Sequence, residues 1–215
     1  MVVLHYTAMD TAEAALDRLC DPKHEVSAHY LISENGRLWQ MVREGDRAWH
    51  AGRGSWGQVT DVNSHSIGIE LANTGTHSYP EPQMKALEHL LAEILARWSI
   101  PAARVIGHQD MAPDRKTDPG RRFDWRRLAI LGLAVWPDCD PSPEAEGSSF
   151  EGPTDVWLDP LRAIGFTADA TPDQLLAAFR ARFRPHASGP CRDADVQMIQ
   201  HAANDFPVDV TVRIA

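Results

Sequence analysis

Cysteine is scarce in this chain: its three copies, Cys20, Cys139 and Cys191, lie far apart and never in CxxC spacing. An odd, scattered set argues against a disulfide scaffold as what holds the fold together. No apolar run approaches the roughly 18 residues needed to cross a bilayer, which excludes an integral membrane protein. No charged leader with an apolar stretch of about 7–15 residues opens the chain, so the expected location is the cytoplasm. Periplasmic or outer-membrane attachment is the alternative if the start is truncated. A basic excess is missing too: 21 Lys and Arg stand against 30 Asp and Glu, a formal net charge of −9. That excludes a phosphate-tracking nucleic-acid surface, which needs locally dominant Lys and Arg. Neither an internal repeat nor an HExxH motif occurs. What remains is a 215-residue chain, 43% hydrophobic, able to fill a core and to hold one ordinary domain and a small second one. Nothing in it sets an oligomeric state.

The local patterns predict an α/β fold, a mixed central sheet flanked by helices, followed by a small three-helix domain. Residues 2–6 read as a buried strand, and residues 11–20 as a helix with Asp10 as N-cap and Glu13 closing a capping box. Residues 28–33 and 37–42 flank Glu34, Asn35 and Gly36, a strong hairpin signal. Glycines 52, 54 and 57 mark residues 49–66 as a surface loop, after which residues 66–72 resume as a strand. Met84, Leu87, Leu90, Leu91, Ile94, Leu95 and Trp98 recur at spacings of three and four, a helix over residues 82–99 that covers the sheet. Val105 and Ile106 form a short buried strand. The polar run 107–120, with Pro113, Pro119 and Gly120, is expected to lack regular structure. Pro, Ser, Gly, Asp and Glu then dominate, giving an α/β domain over residues 1–138, a linker over 139–153 and a helical domain over 154–215. In that last part Thr171, Pro172 and Gln174 begin a helix, with further helical patterns near 156–164 and 193–204.

The chemistry gathers where strands give way to loops. His5 ends the first strand and His108 follows the strand at 104–106; strand ends are where α/β scaffolds fix the backbone and leave side chains reachable. Asp118 comes ten residues after His108, in a loop stiffened by two prolines that can fold back beside it. Two His and an Asp suit zinc and leave a fourth position for water. By spacing alone the set is weak, because a lone His is more often a core or surface residue.

Context adds to it. The stretches VVLHYTA (2–8), VSAHYLI (26–32), WHAG (49–52), SIGIELAN (66–73) and IGHQDMAPDRKTDPG (106–120) resemble the type 2 N-acetylmuramoyl-L-alanine amidases. That family also includes muropeptide-recycling amidases and peptidoglycan recognition proteins. The resemblance covers most of residues 1–136, and the last block is its most specific part. It implies zinc on His5, His108 and Asp118, Glu70 acting on the attacking water, and Lys116 steadying the oxyanion. The implied partners are peptidoglycan fragments, hydrolysed between the N-acetylmuramic acid lactyl group and L-alanine, with anhydro-muropeptides the expected form. His50 is expected to line the substrate groove, and Trp49 or Trp56 to offer a ring to a sugar. His29 reads as structural. The pattern AFRARFRP (178–185) resembles, more loosely, a peptidoglycan-binding module, with a packing cap the alternative. Two other readings are a recognition protein without catalysis and a phage-type wall-lysing amidase.

Overall fold

The computed structural model describes residues 1–209. Five short strands form one sheet: β1 (Val2–Tyr6), β2 (Tyr30–Ile32), β3 (Leu38–Gln40), β4 (Ile67–Leu71) and β5 (Val105–Gly107), in the order β3-β2-β4-β1-β5. β2 and β3 pair antiparallel and the other neighbours run parallel, which is the expected mixed sheet. The predicted hairpin is present. Gly36, at φ 85°, donates its N–H to the Ser33 carbonyl, a conformation for which glycine carries no steric penalty.

The period of two along the strands divides the molecule into layers. Val2 and Leu4, with Ile67, Ile69, Leu71 and Val105, pack under α2 (Glu81–Trp98) and α4 (Trp125–Ile130) through Leu87, Leu91, Ile94 and Leu128. Val3 and Ile106 point the other way, into a second apolar cluster with Trp56, Met111 and the C-terminal helices. His5 and Glu70, out of phase with the first layer, therefore belong to that second face.

Two local expectations are corrected. Thr11, not Asp10, caps α1 (Ala12–Cys20), its side chain accepting the Ala14 N–H at 3.1 Å. Both residues are good caps, and the chain enters the helix one position later than expected. The run 107–120 is not wholly irregular: α3 (His108–Met111) is a single turn, held by the Ala112 N–H on the His108 carbonyl at 3.1 Å. Its two prolines lie outside that turn.

The tail forms α5 (Pro143–Gly147), α6 (Asp155–Ile164), α7 (Pro172–Phe183) and α8 (Asp193–Asp205). The Thr171 and Gln174 capping box forms as expected. The segment anticipated as a linker contains α5, whose Ala145 is buried. The apolar core crosses it: Trp157, Leu161, Ile164, Phe166, Phe179 and Phe183 share one cluster with Val3, Trp56, Ile106 and Met111. Trp56 lies edge-on to Phe166 with ring centroids 4.9 Å apart. A Cβ at Gly165 would stand 2.3 Å from the Trp56 indole, so only glycine admits the ring there. Trp56, 1% exposed, is thus a core residue and offers no face to a sugar. The arginines of AFRARFRP also turn inward. Arg180 and Arg184 pair with Asp195 of α8, and Arg182 pairs with Asp110 of α3 at 2.8 Å. Among the described residues no helix is long and apolar enough to cross a membrane.

Candidate metal centre and active-site groove

His5 reaches the site because β1 ends there, and His108 because α3 follows β5 without a break; β1 lies between β4 and β5. Asp118 returns by its loop, the Gln109 N–H binding the Asp118 carbonyl at 2.8 Å. The result brings three sequence-distant groups together. His5 Nδ1 lies 2.9 Å from His108 Nδ1, and Asp118 Oδ2 lies 3.0 Å from the first and 3.1 Å from the second. All three residues are buried, and their ligand atoms form a group fit for a metal ion.

The chemistry of this donor set favours a cation. His108 Nε2 lies 2.9 Å from the Ala51 carbonyl, which can only accept, so Nε2 carries the proton and Nδ1 of the neutral ring is a lone pair. A lone pair, a second imidazole nitrogen and a carboxylate oxygen converging at such range repel one another unless positive charge sits among them. Burial, then the neighbouring His108, pushes the His5 pKa down to about 4, so its ring is neutral at ordinary pH. Burial opposes ionisation of Asp118, but the two imidazoles beside it outweigh that and leave it below the usual carboxylate range.

Glu70 pairs with His5 across β4 and β1, so both side chains rise from the same face. One of its carboxylate oxygens is buried without a hydrogen-bond partner. Burial, reinforced by Asp118 and opposed by Lys116, raises its pKa to about 8. A cation at the cluster draws that pKa back down and ionises it. The five residues His5, Glu70, His108, Lys116 and Asp118 all line one open cavity of about 420 Å³. Trp49 lines it as well and is 56% exposed, with Arg47 stacked 4.3 Å from its ring centroid. His50 touches the same cavity but is half-buried, its ring set behind His5. Burial, then the charge His5 and His29 would carry, holds the His50 pKa well below its usual value. His29 is buried, as expected of a structural residue, and binds the Gly68 N–H and the Asp46 carbonyl.

A family model described as N-acetylmuramoyl-L-alanine amidase matches residues 1–121. The chain belongs to this amidase family. The amidase is 36% identical over 226 residues to N-acetylmuramoyl-L-alanine amidase AmiD of Escherichia coli (strain K12), across 94% of this chain and 81% of AmiD. It is 42% identical over 106 residues to the 1,6-anhydro-N-acetylmuramyl-L-alanine amidase AmpD of the same organism, spanning 49% of this chain and 58% of AmpD. The structure of E. coli AmiD with its substrate anhydro-N-acetylmuramic acid-L-Ala-D-gamma-Glu-L-Lys superposes at TM-score 0.86 and 32% identity, covering 97% of this chain and 90% of that one. AmpDh3 from Pseudomonas aeruginosa, in complex with anhydromuramic pentapeptide, gives 0.84 at 31% identity, over 96% and 92%. The amidase accordingly hydrolyses the amide that joins the N-acetylmuramoyl group to L-alanine.

Sequence reasoning passed over Asn63, Ser66, Asp110 and Arg182. Ser66, Asp110 and Arg182 lie inside the matched stretches and Asn63 outside them, but each is a common polar residue with no ligand role signalled by its type, and the partner of Arg182 lies 72 positions away.

The Glu70 shift has a consequence for stability. Between the unperturbed value of 4.5 and about 8 the folded protein keeps a proton that the unfolded chain has lost. Stability of the chelator-treated amidase should therefore fall as pH rises through that window and level off above it. Glu70→Gln should remove this slope, so that its thermal midpoint exceeds the wild type's increasingly toward pH 8. Equal midpoints across the window would show that Glu70 titrates normally.

Proposed function

We propose that the amidase is a zinc enzyme acting on peptidoglycan fragments, with anhydro-muropeptides as its preferred substrates. The observation that carries this reading is the convergence of His5, His108 and Asp118 beneath a cavity that Glu70 and Lys116 also line. Two neutral imidazoles and one carboxylate match the preference of zinc and leave it an open position. Bound by these three residues, zinc supplies a Lewis acid that polarises an amide carbonyl and acidifies water.

The chain's own groups perform the rest. Ionised Glu70 takes the proton of the attacking water and passes it to the departing amine of L-alanine. The Lys116 ammonium, at the rim of the same cavity, stabilises negative charge on the carbonyl oxygen as the tetrahedral state forms. Trp49 presents an exposed ring as one wall for substrate. The anhydro form is supported by AmiD and AmpDh3, both of which were solved with anhydromuramyl peptides. The complete ligand set speaks against recognition without catalysis. Free cysteines at positions 20, 139 and 191 fit a cytoplasmic site of action. Recovery of the native protein from periplasm or outer membrane would overturn that location and leave the chemistry standing.

Mass spectrometry of digests tests bond and substrate together. The expected products from anhydro-muropeptide are the anhydro-sugar and a peptide with a free L-alanine amine, formed faster than from purified sacculi. Glu70→Ala should retain zinc and lose on the order of 10²-fold or more in rate, the usual effect of deleting a general base. A rate near wild type would assign the base elsewhere.

A further inference from the structure

The two imidazoles of the metal cluster turn their outer nitrogens toward two consecutive residues of the 49–66 loop. His5 Nε2 lies 3.0 Å from His50 Nδ1, and His108 Nε2 lies 2.9 Å from the Ala51 carbonyl. That pair of residues is itself pinned. Buried Asn63 accepts the His50 N–H at 3.0 Å and the Ala51 N–H at 2.8 Å, both on Oδ1.

The protons along this chain follow from its outer end inward. Ser66 donates its only hydroxyl proton to the Val62 carbonyl at 2.5 Å. Its oxygen is left to accept, and the donor is His50 Nε2 at 3.3 Å. A neutral His50 protonated at Nε2 has a lone pair at Nδ1, which accepts from His5 Nε2. His5 is thereby left with its lone pair on Nδ1, the atom that faces His108 and Asp118. The Ala51 carbonyl imposes the same tautomer on His108. Both ligands thus present lone pairs inward because one loop takes both outer protons.

The sheet is shaped to seat this arrangement. Gly68, in the middle of β4, lies under the His50 ring, and a Cβ there would stand 2.4 Å from His50 Cγ. His29 closes the other side edge-on, with ring centroids 5.7 Å apart.

We propose that His50, Asn63 and Ser66 are positioning residues of the metal centre, setting the tautomer and bearing of His5 and His108, and that His50 does not serve as a substrate contact. The proposal rests on the metal reading of the cluster. Groups that hold the outer nitrogen of a metal-bound imidazole typically change metal affinity about 10–100-fold when removed.

The test is zinc affinity of the full chain, measured by competition with a chromophoric chelator, zinc alone being the probe. His50→Phe removes the acceptor while keeping a ring of similar size, and is expected to weaken zinc binding about 10–100-fold. His50→Gln, whose side-chain oxygen can accept the His5 proton, is expected to recover most of that loss. Ser66→Ala removes the hydroxyl that accepts from His50 Nε2 at 3.3 Å but keeps the residue-66 backbone carbonyl beside the ring, and is expected to give a smaller loss in the same direction. It serves as the second variant if His50→Phe fails to fold by circular dichroism. Wild-type zinc affinity in these variants, with a raised KM for His50→Phe, would overturn the proposal and return His50 to the substrate groove. Failure of the wild-type protein to bind zinc would overturn the metal reading itself, so the two are told apart.

Discussion

Chelation of the amidase, or His108→Ala, is expected to lower hydrolysis of the N-acetylmuramoyl-L-alanine bond by at least about 10³-fold. Lewis-acid stabilisation of an amide transition state contributes several kcal/mol, and each 1.4 kcal/mol or so is a factor of ten in rate. Loss of the metal removes more than the Lewis acid. Without a cation beside it, Glu70 is held near 8 by burial and stays largely protonated at neutral pH, so the base is disabled as well. Added zinc should restore the chelated wild type but not His108→Ala, which lacks a ligand. Steady-state rates with metal analysis on the same samples check both arms. Full activity in His108→Ala would remove this residue, and with it the proposed cluster, from the mechanism.

A chain ending at residue 138 should fail to give a folded, active enzyme, although every proposed catalytic residue precedes that point. The reason is the core that crosses the 139–153 segment. Trp56, Ile106 and Met111 would lose Phe166, Phe179 and Phe183, and deleting even one buried Phe side chain costs about 3–5 kcal/mol. A second loss falls on the site. Arg182, 1% exposed, donates to Asp110 at 2.8 Å and to the Val105 carbonyl at 3.1 Å, while Asp110 accepts the Gly107 N–H beside His108. Breaking one partner of such a buried pair costs about 3–5 kcal/mol because the other charge is left uncompensated. Arg182→Met in the full chain isolates this effect, and should lower the thermal midpoint and the zinc affinity together. Calorimetry and chelator competition measure the two. A chain of 138 residues that unfolds cooperatively and cleaves soluble muropeptide at the full rate would show the tail to be dispensable.

These expectations separate what is written locally in the chain from what is not. The hairpin at Asn35 and Gly36, the seven apolar residues of α2 and the capping box at Thr171 involve residues within a few positions of one another. Their spacing alone carries the signal. His5 and His108 were legible because each stands directly after a short apolar run at a strand end, and Asp118 because a proline-bound loop can bring it back. The helix start at Asp10 or Thr11 is a choice between two adjacent good caps, which local sequence does not resolve.

The sequence by itself determined the strands, the longer helices, the acidic balance and the residue types from which a metal cluster can be built, but not the short helices α3, α4 and α5. Tertiary structure decided which of them meet. It made Trp56 a core residue by setting it against Gly165 and Phe166. It turned three arginines inward onto Asp110, Asp195 and Glu146. It also placed His50 behind His5, 45 positions away. None of these partners is within helical or strand spacing of the other. Burial takes an unpaired charge or polar group out of water at high cost, so the fold is stable only where a distant complementary group arrives to satisfy it. That arrival depends on how the layers pack, and no run of adjacent residues encodes it.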